Sequence, residues 1–160
     1  MTELRFKKLH PDAVLPSRAH ATDAGYDLTA VAVRWEKGRP GICTVDFGLA
    51  VEVPEGHAGF IFPRSSIYKV DLVLSNAVGV IDSGYRGAVS ANFRHTPPLY
   101  HDPYHGAGMV RGGDTPSPLY QKGDRVAQLV VMPVPSFAPE WADELAEADR
   151  GQAGFGSTGS

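Results

Sequence analysis

Glycine and proline set the length of every element this chain can form. Eighteen glycines and thirteen prolines fall among its 160 residues. Proline inside a strand removes a ladder hydrogen bond, and glycine there weakens the strand. What survives between them is a set of short β-branched runs at 42–53, 57–62, 70–81, 87–93 and 125–134. Several alternate in part, as in Leu49-Ala50-Val51-Glu52-Val53, with the two-residue period of a half-buried strand. Many short strands with frequent turn signals predict an all-β domain, a sandwich or a barrel. There is no strand–helix rhythm, which argues against a doubly wound fold, and there is no internal repeat. A chain of this length reads as one domain, residues 1–160, able to bury its own core.

Two segments depart from the pattern. Residues 96–120 hold five prolines and four glycines, which predicts an inserted irregular loop or arm with little pairing. Residues 138–149 carry five acids. Trp141 and Leu145 stand four apart there, a spacing that allows one or two helical turns, with a solvated acidic linker as the alternative.

Composition excludes several classes. Hydrophobic residues make up 42% and charged residues 21%, an ordinary soluble balance. No run of about 18 apolar residues exists, so a membrane-spanning helix is not expected. The first residues lack the apolar stretch of a secretory signal, and the single cysteine, Cys43, has no zinc-type spacing around it. A cytoplasmic setting is the expectation. The formal charge of −3 argues against a protein that coats nucleic acid. It leaves room for a nucleotide ligand, since a triphosphate needs only a few well-placed cations and backbone N–H groups.

Three segments carry candidate chemistry. In the carboxyl-terminal stretch 150–160, Gly154-Phe-Gly156-Ser-Thr-Gly159 has the letters of a dinucleotide-binding loop. That reading needs a strand before it and a helix after it, and no helix is expected to follow. Its backbone N–H groups, the Ser157 and Thr158 hydroxyls, the Arg150 cation and the flat Phe155 ring suit a phosphate chain and a base instead; the plain alternative is a frayed terminus. Asp82 ends an apolar run and begins a turn, where its carboxylate could serve as general base toward water or merely close an Asx turn. Phe62-Pro-Arg64-Ser65-Ser66 presents an arginine and two hydroxyls on a proline-fixed turn, or is simply a polar loop.

Five segments then fall in one order: Ala24-Gly-Tyr-Asp-Leu28, Pro63-Arg-Ser-Ser66, Gly79-Val-Ile-Asp-Ser-Gly-Tyr-Arg-Gly87, Gly123-Asp-Arg-Val-Ala-Gln-Leu129 and Arg150-Gly-Gln-Ala-Gly-Phe-Gly-Ser-Thr-Gly159. This set closely resembles the five motifs of the trimeric dUTPase family, from about residue 4 onward, with 96–120 as the main segment outside it. The resemblance implies a β-clip, or distorted jelly-roll barrel, with a mobile C-terminal arm over 138–160. It implies a homotrimer whose active sites are shared between subunits. It also implies hydrolysis of dUTP to dUMP and pyrophosphate with Mg²⁺, which limits uracil in DNA and supplies dUMP for dTMP synthesis.

The same resemblance assigns roles. Asp82 activates the water that attacks the α-phosphorus. Tyr85 packs under the deoxyribose and leaves no room for a 2′-hydroxyl. Asn76 and the nearby backbone of Gly79, Val80 and Ile81 read uracil in a hairpin pocket. Asp27 holds waters on the Mg²⁺. Arg64, Ser65, Ser66 and Gln128 grip the phosphate chain. Arg150, Gly156, Ser157 and Thr158 close over it while Phe155 stacks on the base.

Some residues depart from the family pattern. Ser66 stands where glycine is common, the stretch 67–72 is about one residue short, and Ala153 replaces a frequent glycine. The related dCTP deaminases share the fold and place a glutamate where Asn92 falls here. An amide cannot shuttle the proton that attack at C4 requires, so deamination is not expected. A non-catalytic sensor or interaction module is the reading from another class. Residues 96–120, where Tyr100, Tyr104 and Tyr120 alternate with His101 and His105, have the composition of a surface for a protein partner.

Overall fold

The strands begin and end where the turn-forming residues put them, as the computed structural model of the chain shows. It describes residues 3–96, 120–148 and 151, and the backbone of 99–101 and 109–111. In chain order the strands are β1 Arg5–Lys8, β2 Tyr26–Thr29, β3 Ala32–Trp35, β4 Ile42–Asp46, β5 Leu49–Glu52, β6 His57–Pro63, β7 Leu72–Leu74, β8 Gly79–Ile81, β9 Ser90–His95, β10 Leu99–His101, β11 Met109–Arg111 and β12 Arg125–Pro133. A single 3₁₀ turn, Ser65–Lys69, interrupts them among the described residues.

Two four-stranded antiparallel sheets face one another, in the orders β2-β12-β6-β8 and β3-β4-β9-β7. Alternation explains the packing. On β4, Cys43 and Val45 are fully buried while Thr44 between them is not. On β9, Ala91 and Phe93 point inward and Asn92 outward. Leu28, Phe47, Val51, Val53, Val126 and Leu129 fill the space from the other side. Each fully buried aliphatic or aromatic side chain contributes about 1.5–3 kcal/mol, so this two-sided core is what makes the short strands hold. The two sheets are not joined by strand pairing into a closed barrel. β8 is an edge of one sheet and β7 an edge of the other.

The segment rich in proline and glycine carries more pairing than expected. Leu99, Tyr100 and His101 oppose Arg111, Val110 and Met109, a hairpin stem; the rest of that segment lies outside the described residues. Residues 138–148 contain no helix, so the acidic-linker alternative holds. Phe137, Trp141 and Leu145 are 80%, 104% and 88% exposed. A stripe with nothing beneath it in one chain cannot offset helix nucleation over so few residues. No helix among the described residues is long and apolar enough to cross a membrane.

Candidate functional site

The sequence-predicted residues gather at two places. The first is where β2, β12 and the end of β6 meet. Asp27 and Phe62 both stand opposite Gln128 across the ladder. The Asp27 carboxylate accepts from two guanidiniums, Arg64 Nε to Oδ1 at 2.8 Å and Arg125 Nη1 to Oδ2 at 2.9 Å. Its side chain is only 18% exposed and that of Arg64 29%, so this pair is better shielded than a surface ion pair. The Gln128 carboxamide donates to the Pro63 carbonyl at 3.2 Å, which ties β12 to the turn that presents Arg64. Gly25 lies against that carboxamide so closely that a Cβ there would sit 2.4 Å from Gln128 Oε1.

Arg64, Ser66, Lys69, Gly123 and Arg125 line an open recess of about 420 Å³. Ser65 is exposed at its edge and opens the 3₁₀ turn. Tyr120 also reaches this recess, with its hydroxyl buried. Burial pushes that phenol's pKa up, with Arg64 acting against the shift. Sequence reasoning missed Arg125. It lies inside the fourth motif, yet only the fold reveals its partner 98 residues away.

The second place is the β7–β8 hairpin. Because β7 pairs with β9 and β8 with β6, the hairpin splays between the two sheets. Each of its strands keeps one edge unpaired by the sheets, and such an edge presents a row of N–H and C=O groups. A cleft of about 180 Å³ opens there, lined by Ile61, Leu74, Ser75, Asn76, Gly79, Ala91 and Asn92. At its tip Ala77 holds a φ of +59°, a left-handed conformation that costs a non-glycine residue of order 1–3 kcal/mol. The adjacent Val78 N–H donates to the Asn76 carbonyl at 2.6 Å. Asn92 Oδ1 accepts from the Thr44 hydroxyl at 2.8 Å. Val80, outward on β8, is 61% exposed, whereas Ile81 turns into the core at 5%.

Asp82 follows Ile81 and is exposed, with its carbonyl closing the turn from Tyr85 N–H at 3.0 Å. The Tyr85 ring folds back over Gly87 and its hydroxyl donates to the Ala88 carbonyl at 3.0 Å. Only a glycine fits beneath it, since a Cβ on Gly87 would lie 2.4 Å from the Tyr85 oxygen.

The ladder fixes how far apart the two places are. Ile81 stands opposite Gly59 and Gly79 opposite Ile61, so Asp82 is level with Ala58 while Arg64 lies past the other end of β6. That is about 20 Å of strand at roughly 3.3 Å per residue. The carboxylate and the guanidinium pair of one chain do not close on one phosphorus atom. Arg150, Phe155, Gly156, Ser157 and Thr158 lie outside the described residues.

No group of three His, Cys, Asp or Glu side chains among the described residues could cage a metal. Asp27 still fits a looser mode. Each of its oxygens gives one lone pair to an arginine and keeps another. Mg²⁺ is commonly held by one or two carboxylates, waters and substrate phosphates.

An open all-β domain with a guanidinium pair at one end of a strand and a carboxylate beside a base-sized cleft at the other is equipped to bind a phosphorylated small molecule. Comparison with known proteins narrows that class. The dUTPase family profile matches residues 12–94 and 118–159. The deoxyuridine 5′-triphosphate nucleotidohydrolase of Thermobifida fusca is 39% identical over 158 residues, covering 98% of this chain and 78% of that protein. The dUTPase of Staphylococcus bacteriophage 80alpha with dUPNHPP superposes at a TM-score of 0.77, with 29% identity and full coverage of both chains. A mutant dUTPase from phage phi11 of S. aureus, described with a structural Mg(II) ion, superposes at 0.67, with 26% identity over 89% of this chain and 98% of that one. The chain belongs to the dUTPase family. The stretch its profile leaves unmatched, 95–117, falls on the inserted segment.

Proposed function

We propose that this protein is a dUTP pyrophosphatase that releases dUMP and pyrophosphate by water attack on the α-phosphorus. Family membership supports the reaction. The observation that carries the mechanism is the splayed hairpin: a base-sized cleft opens between unpaired strand edges, and the hairpin's second strand leads into Asp82.

Uracil enters the cleft edge-on. Asn76 and the main chain of Gly79, Val80 and Ile81 hydrogen-bond its O4 and N3–H, and cytosine, with these groups reversed, leaves them unpaired. A polar mismatch of that kind discriminates by about 10⁴–10⁵. Tyr85 lies under the sugar and closes the space at C2′. Asp82 takes the proton of the attacking water. Arg64, Ser65, Ser66 and Gln128 hold the phosphates, since phosphoryl transfer asks mainly for positioning and charge neutralisation. Asp27 holds waters of the Mg²⁺. When bound, that ion neutralises charge on the phosphate chain. Arg150, Gly156, Ser157 and Thr158 close over the phosphates, with Phe155 on the base, and exclude bulk water.

The roughly 20 Å between Asp82 and Arg64 along β6 supports a homotrimer in which one subunit's Asp82 faces another's Arg64. Residues 96–120, which fall outside the family match up to residue 117, are the proposed place for a protein partner, and the cytosol is the proposed setting. The test is pyrophosphate release with Mg²⁺ from dUTP, UTP, dCTP and dTTP. Turnover of dUTP alone is expected. Orthophosphate as first product, or equal turnover of dCTP, would overturn the reading.

A further inference from the structure

We infer that Arg125 is a further positioning residue of the phosphate grip, acting on Arg64 through their shared carboxylate, Asp27; this rests on the dUTP pyrophosphatase reading above. The local backbone is what brings Arg125 there. In a regular strand Arg125 would point to the same side as Ala127 and Leu129, into the core. The register against β2 instead jumps from Arg125↔Thr29 to Ala127↔Leu28, a β-bulge that sets two residues against one. Val126 and Ala127 are both fully buried in consequence, and Arg125 emerges on the face of Gln128 and Asp27. The bulge also turns the Val126 carbonyl toward the backbone N–H of Arg64, 3.4 Å away.

Two cations then share one acid. Arg64 uses only its Nε, and Arg125 only one Nη, on Asp27. A guanidinium has five N–H donors, so most of those on Arg64 remain for an anion in the recess it lines. Asp27 is not among the lining residues and stands behind them. Arg125 on Oδ2 fixes the plane of the carboxylate, so that Oδ1 alone faces Arg64. Without Arg125 the carboxylate is free to rotate and accept two donors from Arg64 in the bidentate manner such pairs favour. Arg64 then turns an Nη group away from the phosphates. The distant member of the triad thus sets how many donors Arg64 offers to substrate.

The test compares wild type with R125A, R125K, R64A and R64A/R125A in the assembled enzyme. Steady-state kinetics use dUTP, and calorimetry measures binding of the imido analogue of dUTP and of dUMP. One lost charge-assisted donor predicts that R125A raises KM and the analogue Kd about tenfold, with kcat within about threefold. Affinity for dUMP stays unchanged. R125K, which keeps a donor for Oδ2, recovers most of the loss. Because both residues act through one guanidinium, R64A/R125A binds the analogue as R64A does, within about twofold. Additive effects of the two substitutions, or an R125A enzyme with unchanged KM, overturn the inference. Should R125A not assemble, R125M, which keeps the side-chain stem and has no N–H donor, is read by the same criteria. A wild-type enzyme that leaves dUTP intact would sink the pyrophosphatase reading itself, a result distinct from either of these.

Discussion

Replacing Gly87 by alanine separates the cost to the fold from the cost to the chemistry. The new Cβ would stand 2.4 Å from the Tyr85 oxygen and 2.5 Å from its Cζ. Ordinary contact begins near 3.4–3.5 Å, so the ring must retreat by about 1 Å. That breaks the 3.0 Å hydrogen bond from Tyr85 to the Ala88 carbonyl, a loss of about 0.5–1.5 kcal/mol. Tyr85 is 45% exposed, so it can swing into solvent and avoid the overpacking strain of a core site. Stability should therefore fall by only about 1 kcal/mol. A group that positions the substrate, displaced by about 1 Å beneath the bound sugar, can cost up to about 10²-fold in rate. The assays are urea unfolding at fixed protein concentration, and kcat/KM for dUTP and UTP by pyrophosphate release. A drop of about 10–100-fold for dUTP is expected, with UTP little changed, so that the UTP/dUTP ratio rises. If the variant folds and its kcat/KM for dUTP stays within a factor of about two of wild type, the stacked ring is not the sugar gate.

Asp82→Asn should lower kcat by about 10²–10⁴ with little effect on folding, because the side chain is exposed; near-normal turnover would remove Asp82 as the base. Refolding that variant at equal amounts with a chain lacking residues 150–160 tests the proposed trimer: if each site draws base and tail from different subunits, about a quarter of the sites regain activity. A mixed trimer as inactive as its parents, with mixing confirmed by mass, would rule out shared sites. Burial raises the pKa of the Cys43 thiol, so a thiol reagent at neutral pH should label it only after unfolding. Rapid labelling of the native enzyme would contradict the packing of β4.

The sequence made the middle of the fold readable and its margins less so. The β-branched runs gave β4 to β9 and β12 because each buries at least one large aliphatic or aromatic residue, such as Val45, Val51, Ile61, Leu72, Ile81, Phe93 and Leu129. Arg5–Lys8, three of whose four residues are charged, and the short β2 and β3 carry no such signal. The motifs named residues at both places the fold assembles, Asp27, Arg64 and Gln128 at one and Gly79 and Asp82 at the other, because motif residues are local. The guanidinium pair on Asp27 joins residues 37 and 98 positions apart, and no local pattern announces it. Ala77 is invisible for another reason: an alanine gives no hint of a left-handed backbone, which the hairpin imposes from outside. The spacing of Trp141 and Leu145 left a helical turn and an acidic linker both open, and the linker holds because the single chain offers no surface to pack a helix on.

The bulge at Val126 is the one point along β12 where the strand can lose a residue and keep its faces. An isoleucine or leucine at 126 keeps the extra residue and trades one aliphatic group for another, at a cost of about 1–3 kcal/mol where a methylene overpacks the site. Deleting that codon would do something different in kind. The strand would become regular, with Arg125 and Gln128 still on one face and still opposite Thr29 and Asp27, because the bulge had already absorbed the odd residue. What would be lost is the Val126 side chain from the core it shares with Leu28 and Phe47. A deletion at 128–131 is worse, since it lies within the regular ladder and turns every residue on one side of it to the opposite face. An indel scan of β12 should therefore find its tolerance at the bulge and beyond Pro133, where the chain leaves the sheet.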